Sequence, residues 1–440
     1  MRQHRINFLI RPTLFALSTF LMVWNPFLRA QAYIDSTHVG RKISSIFIYG
    51  NEKTKSAIIL REMKHQEGDT LDPHLLEADQ KRIQGLNLFN RVVISTEPEE
   101  ENVRLNIQVS EQWYIFPYPV IFINDRDWSK LSYGAGLMHL NFRGRAEILN
   151  GIFWLGYDPL IQLEYTNPWI GGRHHLSLVT NLSYQKKRSK HYEDKKVNEN
   201  HFGFKWALGK RLGHHTHVSL RLGYKEITFS PSIPGQTLSA DGRDHLPSLD
   251  LFLTLDYRDL REYPHRGWYA SFSALKTGFP SLTADYFRYG CDLRKYFPIG
   301  RSPTLALRTI FFLSRGKIPI YDRVYLGYDE RVRGHFFETY EGENRAMASV
   351  AFRFPLLPIR YFDLADLPQM QNLKFGLSMG CFVDTGVTWF QGEKLKRSMF
   401  HSGYGFGLHV HLPYIRLLRF ELAFDENRRE QFIVDLLVDI

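Results

Sequence analysis

Cysteine is scarce. Cys291 and Cys381 are the two in 440 residues, too few for the disulfide framework of a small exported domain. Long apolar runs are missing as well. After residue 28 no stretch approaches the roughly 20 apolar residues that a spanning helix needs. Lys and Arg outnumber Asp and Glu by 56 to 46, a formal charge of +10, but the excess is diffuse. No basic run is interleaved with stacking aromatics, so no nucleic acid is expected among the partners. No phosphate loop and no Cys-x-x-Cys pair occurs, and neither a cofactor nor a metal is expected. Aromatic residues, by contrast, are abundant, with 33 Phe and 23 Tyr.

Residues 1–32 read as a secretory signal peptide. Arg2, His4, Arg5 and Arg11 form a basic start, Pro12 to Leu28 is mostly apolar, and Ala30-Gln31-Ala32 fits a small-x-small cleavage site. Pro26 and the cleavage pattern speak against the alternative of a membrane anchor. Export of the mature chain is expected.

Residues 41–111 read as a small α+β domain. Ile43 to Tyr49 alternates as a strand and ends at the turn Gly50-Asn51. Thr54 is placed to cap a short helix carrying Ile58, Ile59 and Met63. Asp72-Pro73 gives an N-cap and a first-turn proline for a second helix with Leu75, Leu76, Ile83 and Leu86. Arg91 to Thr96 reads as a strand. Val103, Leu105, Ile107 and Val109 then alternate with polar residues, the pattern of a half-buried strand.

From Trp113 to Ile440 the pattern changes to sixteen stretches of about ten residues with period-two alternation, as a transmembrane antiparallel β-barrel requires. They begin near Ile115, Leu131, Arg145, Pro159, His174, Asn200, Thr216, Pro247, Trp268, Asp285, Thr304, Arg345, Leu373, Tyr404, Leu417 and Gln431. Phe375, Leu377, Met379, Cys381 and Val383 share an outward face, opposite Gly376, Ser378, Gly380, Phe382 and Asp384. Tyr404, Phe406, Leu408 and Val410 point outward in the same way, with Gly403, Gly405, Gly407, His409 and His411 inward. Cys291 and Cys381 fall on outward faces three strands apart, beyond disulfide reach, so both are expected as free thiols. Long charged connections such as 186–199 and 231–245 read as extracellular, and short ones such as 141–144 and 297–303 as periplasmic.

The longest extracellular loop, 316–344, contains Val332-Arg333-Gly334-His335. A loop of this length is unusual unless it is functional or packed inward. Arg333 and the inward-facing Asp384 read as partners across the inside of the barrel, or else as two solvated charges. Pro117 and Pro119 lie at the first strand. Two apart, they remove two donors from one edge if they lie within the strand, and none if they precede it. Several patterns hint at other chemistry. Gly376-Leu377-Ser378-Met379-Gly380 matches a nucleophile elbow, but that motif needs a strand-to-helix turn. His214, His215 and His217 cluster, as do His409 and His411, without a nameable supporting shell for a metal. No enzymatic activity is expected.

Residues 41–111, with Gly50-Asn51, Thr54, Gly68-Asp69, Leu88-Phe89 and Glu111, resemble a POTRA domain. Val332-Arg333-Gly334, Phe382-Val383-Asp384-Thr385-Gly386, and Asp256-Tyr257-Arg258-Asp259 followed by Pro264 and Gly267 at a periplasmic turn, resemble the BamA/TamA-type outer-membrane assembly and secretion barrels, also described as bacterial surface antigens. The resemblance covers nearly all of the mature chain. It implies a mainly β protein in the outer membrane of a diderm bacterium, with the POTRA-like domain in the periplasm. It implies a loop folded into the lumen with Arg333 on Asp384, which is a structural role. It also implies partners: unfolded outer-membrane or secreted polypeptides, outer-membrane lipids, and accessory lipoproteins as further candidates. The expected function is insertion, assembly or translocation of polypeptides, with a dedicated secretion pore for one partner as the alternative. Two-partner secretion barrels usually carry two POTRA domains and a plug helix, and neither is visible. Two residues depart from the pattern. His335 stands where an aromatic often follows Arg-Gly, and Ala351 stands two residues before Arg353 where a Glu is frequent. One acidic partner of Arg333 is therefore expected to be missing.

Overall fold

The computed structural model describes residues 38–124, 128–170, 176–189, 191, 197–213, 215–232, 235–260, 263–279, 284–300, 302–327, 330–335, 338–362, 373–412 and 417–436. The signal-peptide reading of 1–32 and His214 lie outside them.

The N-terminal unit runs β1 (Ile43–Tyr49), α1 (Ser56–Leu60), α2 (Pro73–Gln84), β2 (Phe89–Glu99) and β3 (Asn102–Glu111). Its sheet order is β1-β3-β2, with β1 parallel and β2 antiparallel to the central β3. The alternation of β3 sends Val103, Leu105, Ile107 and Val109 into a core with Ile59, Leu76, Ile83, Phe89 and Val92. Asp72 caps α2 by accepting from the His74 and Leu75 N–H groups, and Pro73 takes the first position, where a missing donor costs nothing. Thr54 does not cap α1. Lys55 takes that position without a side-chain bond. The Thr54 hydroxyl instead meets Tyr114 Oη at 3.0 Å and accepts from Asn141 Nδ2 at 2.8 Å. The Lys55 N–H donates to Gly144 O at 2.9 Å, so the small domain is seated on the first periplasmic turn of the barrel.

The barrel is one sixteen-stranded antiparallel sheet in chain order. Its strands are β4 (Ile115–Ile123), β5 (Leu131–Phe142), β6 (Glu147–Gly156), β7 (Leu160–Ile170), β8 (Leu176–Arg188), β9 (Asn198–Leu212), β10 (Thr216–Ser230) and β11 (Arg243–Asp256). There follow β12 (Gly267–Gly278), β13 (Asp285–Pro298) and β14 (Thr304–Lys317), then β17 (Asn344–Phe362), β18 (Leu373–Trp389), β19 (His401–His411), β20 (Leu418–Asp425) and β21 (Glu430–Leu436). Between β14 and β17 the long loop forms its own hairpin, β15 (Val324–Leu326) with β16 (Tyr340–Gly342). Among the described residues no helix is long and apolar enough to cross a membrane; the crossing is made by strands.

The two faces follow the alternation. Phe375, Cys381, Val383, Tyr404 and Phe406 are exposed on the outside, and Gly376, Ser378, Phe382, Asp384, His409 and His411 are buried within. Cys291 and Cys381 are free thiols. An exposed apolar belt of Leu137, Phe153, Ile161, Leu182, Leu220, Leu251 and Phe272 would be an aggregation surface in water, and suits lipid. Strand β11 begins earlier than Pro247 suggests. Its pairing with β12 starts only at Ser248, so Pro247 occupies a stretch with one neighbour, where an absent donor is tolerated. Strand β17 bulges between Pro355 and Leu357 and again between Leu357 and Arg360, where prolines interrupt the ladder.

Candidate functional site

Arg333 is the centre of the lumen. The turn Val332–His335 is closed by the His335 N–H donating to Val332 O at 3.0 Å. It lies directly on the barrel wall. Gly334 has φ +102°, and a Cβ there would come within 2.6 Å of Phe424 O; a Cβ on the facing Gly403 would collide with Arg333 O. Only two glycines permit this backbone-to-backbone approach. Val332 then packs against Gly386 beside Leu326.

The Arg333 guanidinium makes a fork on Asp384. Nε donates to Oδ2 and Nη2 to Oδ1, both at 2.7 Å, and the Arg333 backbone N–H adds a third bond to the same carboxylate at 3.2 Å. Nη2 also donates to Ser349 Oγ at 3.1 Å, and Ser349 Oγ donates to Asp384 at 2.6 Å. The guanidinium plane lies 3.7 Å from the Phe382 ring centroid, within cation–π range. Asp384 is fully buried and the Arg333 side chain nearly so. Charge-assisted bidentate contacts of this kind are short and geometrically specific.

The second carboxylate, expected to be missing, is present on another strand. Glu421 of β20 accepts from Arg333 Nη1 at 3.0 Å. Ala351 is buried with Ala306, Ala423 and Phe382; at that position a small side chain leaves room for the Phe382 ring under Arg333. Periodicity places Glu421 on an inward face, which was the one available signal. Nothing in the chain order says that β20 comes beside the loop.

His335 is 3% exposed. Its Nδ1 is 2.9 Å from Tyr340 Oη and its Nε2 is 2.6 Å from Glu426 Oε2. The rest of the loop is tied around the barrel. Glu330 accepts from Arg308 of β14 at 3.0 Å, Tyr321 Oη donates to Asp244 of β11 at 2.6 Å, and Asp322 meets Arg288 of β13 at 3.5 Å.

At the periplasmic end Arg258 forks back on Asp256 at 2.8 and 3.0 Å. Asp259 Oδ1 accepts from the Leu260, His265 and Arg266 N–H groups. Gly267, at φ +104°, faces Tyr257 O where a Cβ would clash. This turn sends Tyr263, which sequence reasoning did not single out, into the lumen. Its ring lies 4.3 Å from the Arg353 guanidinium, its Oη bonds His409 Nδ1 at 3.0 Å, and Pro264 O accepts from Arg353 at 2.8 Å. His409 Nε2 lies 3.6 Å from Glu421. A polar chain therefore runs from the extracellular loop to the periplasmic turn through Arg333, Glu421, His409 and Tyr263.

Pro117 and Pro119 both lie inside β4, paired opposite Leu137 and Ala135. The Leu140 N–H donates to Tyr114 O at 2.9 Å, which sets the phase of the ladder. Counting by twos, Phe116, Tyr118, Val120 and Phe122 aim their backbone groups at β5, and Ile115, Pro117, Pro119 and Ile121 aim theirs at the opposite edge. The two missing donors thus belong to the edge away from β5. Ser378 lies mid-strand with Oγ 3.0 Å from His411 Nε2, without the strand-to-helix turn that exposes a nucleophile. Among the described residues neither His409 with His411 nor His215 with His217 joins a third ligand in a metal-sized cluster.

A sixteen-stranded barrel, its lumen loop clamped by an Arg and its periplasmic face fronted by one small α+β domain, defines a class of transmembrane outer-membrane protein. The chain belongs to the Omp85 superfamily: residues 141–434 match the Omp85 superfamily domain, and residues 41–112 match POTRA, the surface antigen variable number repeat. It is an outer-membrane protein with its POTRA domain in the periplasm. It is similar to the outer membrane protein assembly factor BamA of Nitratidesulfovibrio vulgaris, 22% identical over 324 residues, which are 69% of this chain and 39% of that protein. The match thus spans about two fifths of the curated relative's length. Among solved structures, BamA from Haemophilus ducreyi lacking POTRA domains 1–3 superimposes with a TM-score of 0.67 at 17% identity, over 90% of this chain and 83% of that one. CdiB from Acinetobacter baumannii gives 0.57 at 14% identity, over 90% and 73%. At these identities the likeness establishes the fold.

Proposed function

We propose that this protein inserts or translocates polypeptides at the outer membrane, without catalysing a covalent reaction. Residues 41–111 receive unfolded chain in the periplasm, and residues 113–440 pass it to the membrane. The receiving surface is a sheet edge, since strand addition satisfies the backbone of an unfolded substrate without regard to its side chains. Of the two edges, β1 is covered at its start: the Leu71 N–H donates to Arg41 O, the Ile43 N–H to Asp69 O and the Gly68 N–H to Ile43 O. On β2, Gln80 Nε2 occupies Val92 O, so substrate is proposed to add to the second half of that strand, toward Glu99.

The observation that carries the barrel's part is the phase of β4. Strands β4 and β21 are the two ends of the sheet order, and Pro117 and Pro119 withhold two donors from the edge of β4 that faces β21 in a closed barrel. Each lost backbone bond forgoes about 0.5–1.5 kcal/mol, so the first–last seam is weaker than the same seam with its full set of donors would be. The lumen is occupied by the Arg333 loop, which favours lateral release over passage through the pore.

Cross-linking tests this. With Cys291 and Cys381 replaced by Ser, cysteine pairs are placed on Ile121 and along 430–434. Oxidation that abolishes activity, restored by reduction, is the expected result; full activity of the cross-linked protein overturns the lateral route. Depletion followed by mass spectrometry of outer membrane and culture medium identifies the substrates. Loss of many unrelated barrels marks a general insertase. Loss of one exported protein from the medium, with the membrane proteome intact, marks a dedicated secretion pore.

A further inference from the structure

We propose that His335, His401 and Glu426 form a transition-metal site of the Zn²⁺ class at the extracellular mouth, which fastens the lumen loop to the last strands of the barrel. The three come from three separate places: His335 from the loop, His401 from the first residue of β19, and Glu426 from the turn between β20 and β21. One potential ligand atom from each lies within 4.8 Å of the others. The His335 and His401 rings have centroids 5.2 Å apart at 64°, and Glu426 Oε2 lies 2.6 Å from His335 Nε2.

Two imidazoles and a carboxylate are the donor set of open zinc sites, which keep a fourth position for water. Zn–N and Zn–O bonds of about 2.0–2.2 Å place tetrahedral donors roughly 3.3 Å apart. Gathering the three needs only rotamer-scale motion, and the mobile member is Glu426, whose side chain is 44% exposed. His335 is fixed from behind, since Tyr340 Oη lies 2.9 Å from Nδ1. When Nδ1–H donates to Tyr340, the Nε2 lone pair faces Glu426 and the site. A bonded outer nitrogen of this kind is the usual way a ligating histidine is oriented. Tyr340 also stacks on the His401 ring at 3.5 Å and 12°, so one side chain positions both imidazoles.

The consequence is a second fastening of the loop. Arg333 holds it by charge on β18 and β20, two residues from a metal clasp on β19 and the final turn. Bound metal opposes any movement that takes the loop off the wall, and its removal leaves the Arg333 network alone.

The test uses the full chain in detergent micelles, stripped with EDTA and titrated with Zn²⁺. One strong site per chain is expected. His401→Ala should weaken it by about 100-fold or more and Glu426→Gln by about 10-fold, since even outer-sphere changes cost 10–100-fold. Zn²⁺ should also slow protease cleavage within 318–343 in the wild type and not in either variant. If His401→Ala fails to show heat-modifiable mobility, Glu426→Gln on its exposed turn carries the test. Equal stoichiometry and affinity in wild type and variants, or no binding at micromolar free Zn²⁺, overturns the proposal.

Discussion

Arg333 is held by two buried carboxylates; removing it takes the guanidinium fork from Asp384 and leaves Glu421 with Arg419 at 3.9 Å. Breaking a buried ion pair from one side costs about 3–5 kcal/mol, more than the intact pair contributes. Arg333→Ala should therefore lower the unfolding temperature markedly and disturb heat-modifiable mobility. Arg333→Lys should fall between, because a single ammonium cannot fork on Asp384; mobility identical to wild type in Arg333→Ala would count against the clamp. In the periplasmic domain His65 is a second sensitive residue. Its Nδ1 lies 2.7 Å from Asp79 and its Nε2 accepts from the Asp72 N–H at 3.2 Å, an arrangement that requires the neutral ring. Burial holds the imidazole below its ordinary value of 6.5, with Arg82 adding to this and Asp69 and Asp72 opposing it. A base whose folded pKa is depressed binds more protons when unfolded, so stability is full above about 6.5 and falls as pH drops below it. Protease cleavage within 41–111 should be faster at pH 5.5 than at pH 7.5, and His65→Gln should flatten that difference.

At the scale of elements, the loop and the periplasmic turn meet inside the barrel. Glu421 of β20 and His409 of β19 bridge Arg333 to Tyr263, although no backbone connects these parts directly. Residues within one network give non-additive effects, of order 0.5–3 kcal/mol. Tyr263→Phe removes only the hydroxyl, and its cost should shrink when Arg333 is already Ala. Thermal unfolding of the two single variants and the double variant measures the coupling; strict additivity would mean that loop and turn are anchored independently. Strand β4 makes a different kind of prediction. Replacing Pro117 and Pro119 with Ala restores two donors on the edge away from β5, so the double variant should be more stable and less active. Gain of stability with unchanged activity would separate seam strength from function.

At the scale of the molecule, the solvent of each face decides what it tolerates. Val383 and Asp384 are neighbours in β18, one 57% exposed and the other 1%. Val383→Arg puts a charge into lipid, at a cost of about 2–4 kcal/mol near the bilayer midplane. It should reduce folding into vesicles, and the loss should lessen in thinner bilayers. Cys291 and Cys381 share the lipid face as free thiols; alkylation of the denatured, unreduced chain should add two labels.

Period and local chemistry were enough to determine much of this protein. Alternation over ten-residue stretches, the Asp72-Pro73 cap and the turn residues depend on near neighbours, so strand number, strand faces and the α+β domain were legible from the chain, while Arg333 and Asp384 remained either partners or two solvated charges. Tertiary structure alone decided which distant residues meet. Glu421 supplies the acid that Ala351 does not, Tyr263 enters the lumen from a periplasmic turn, and His335 meets His401 and Glu426. Pro117 and Pro119 looked the same whether inside or before a strand until their pairing with Leu137 and Ala135 placed them within β4 and the Tyr114–Leu140 bond set which edge they face. A curved sheet with a loop folded against its inner face brings together side chains far apart in sequence, and that proximity depends on register and curvature, to which no local pattern of residues corresponds.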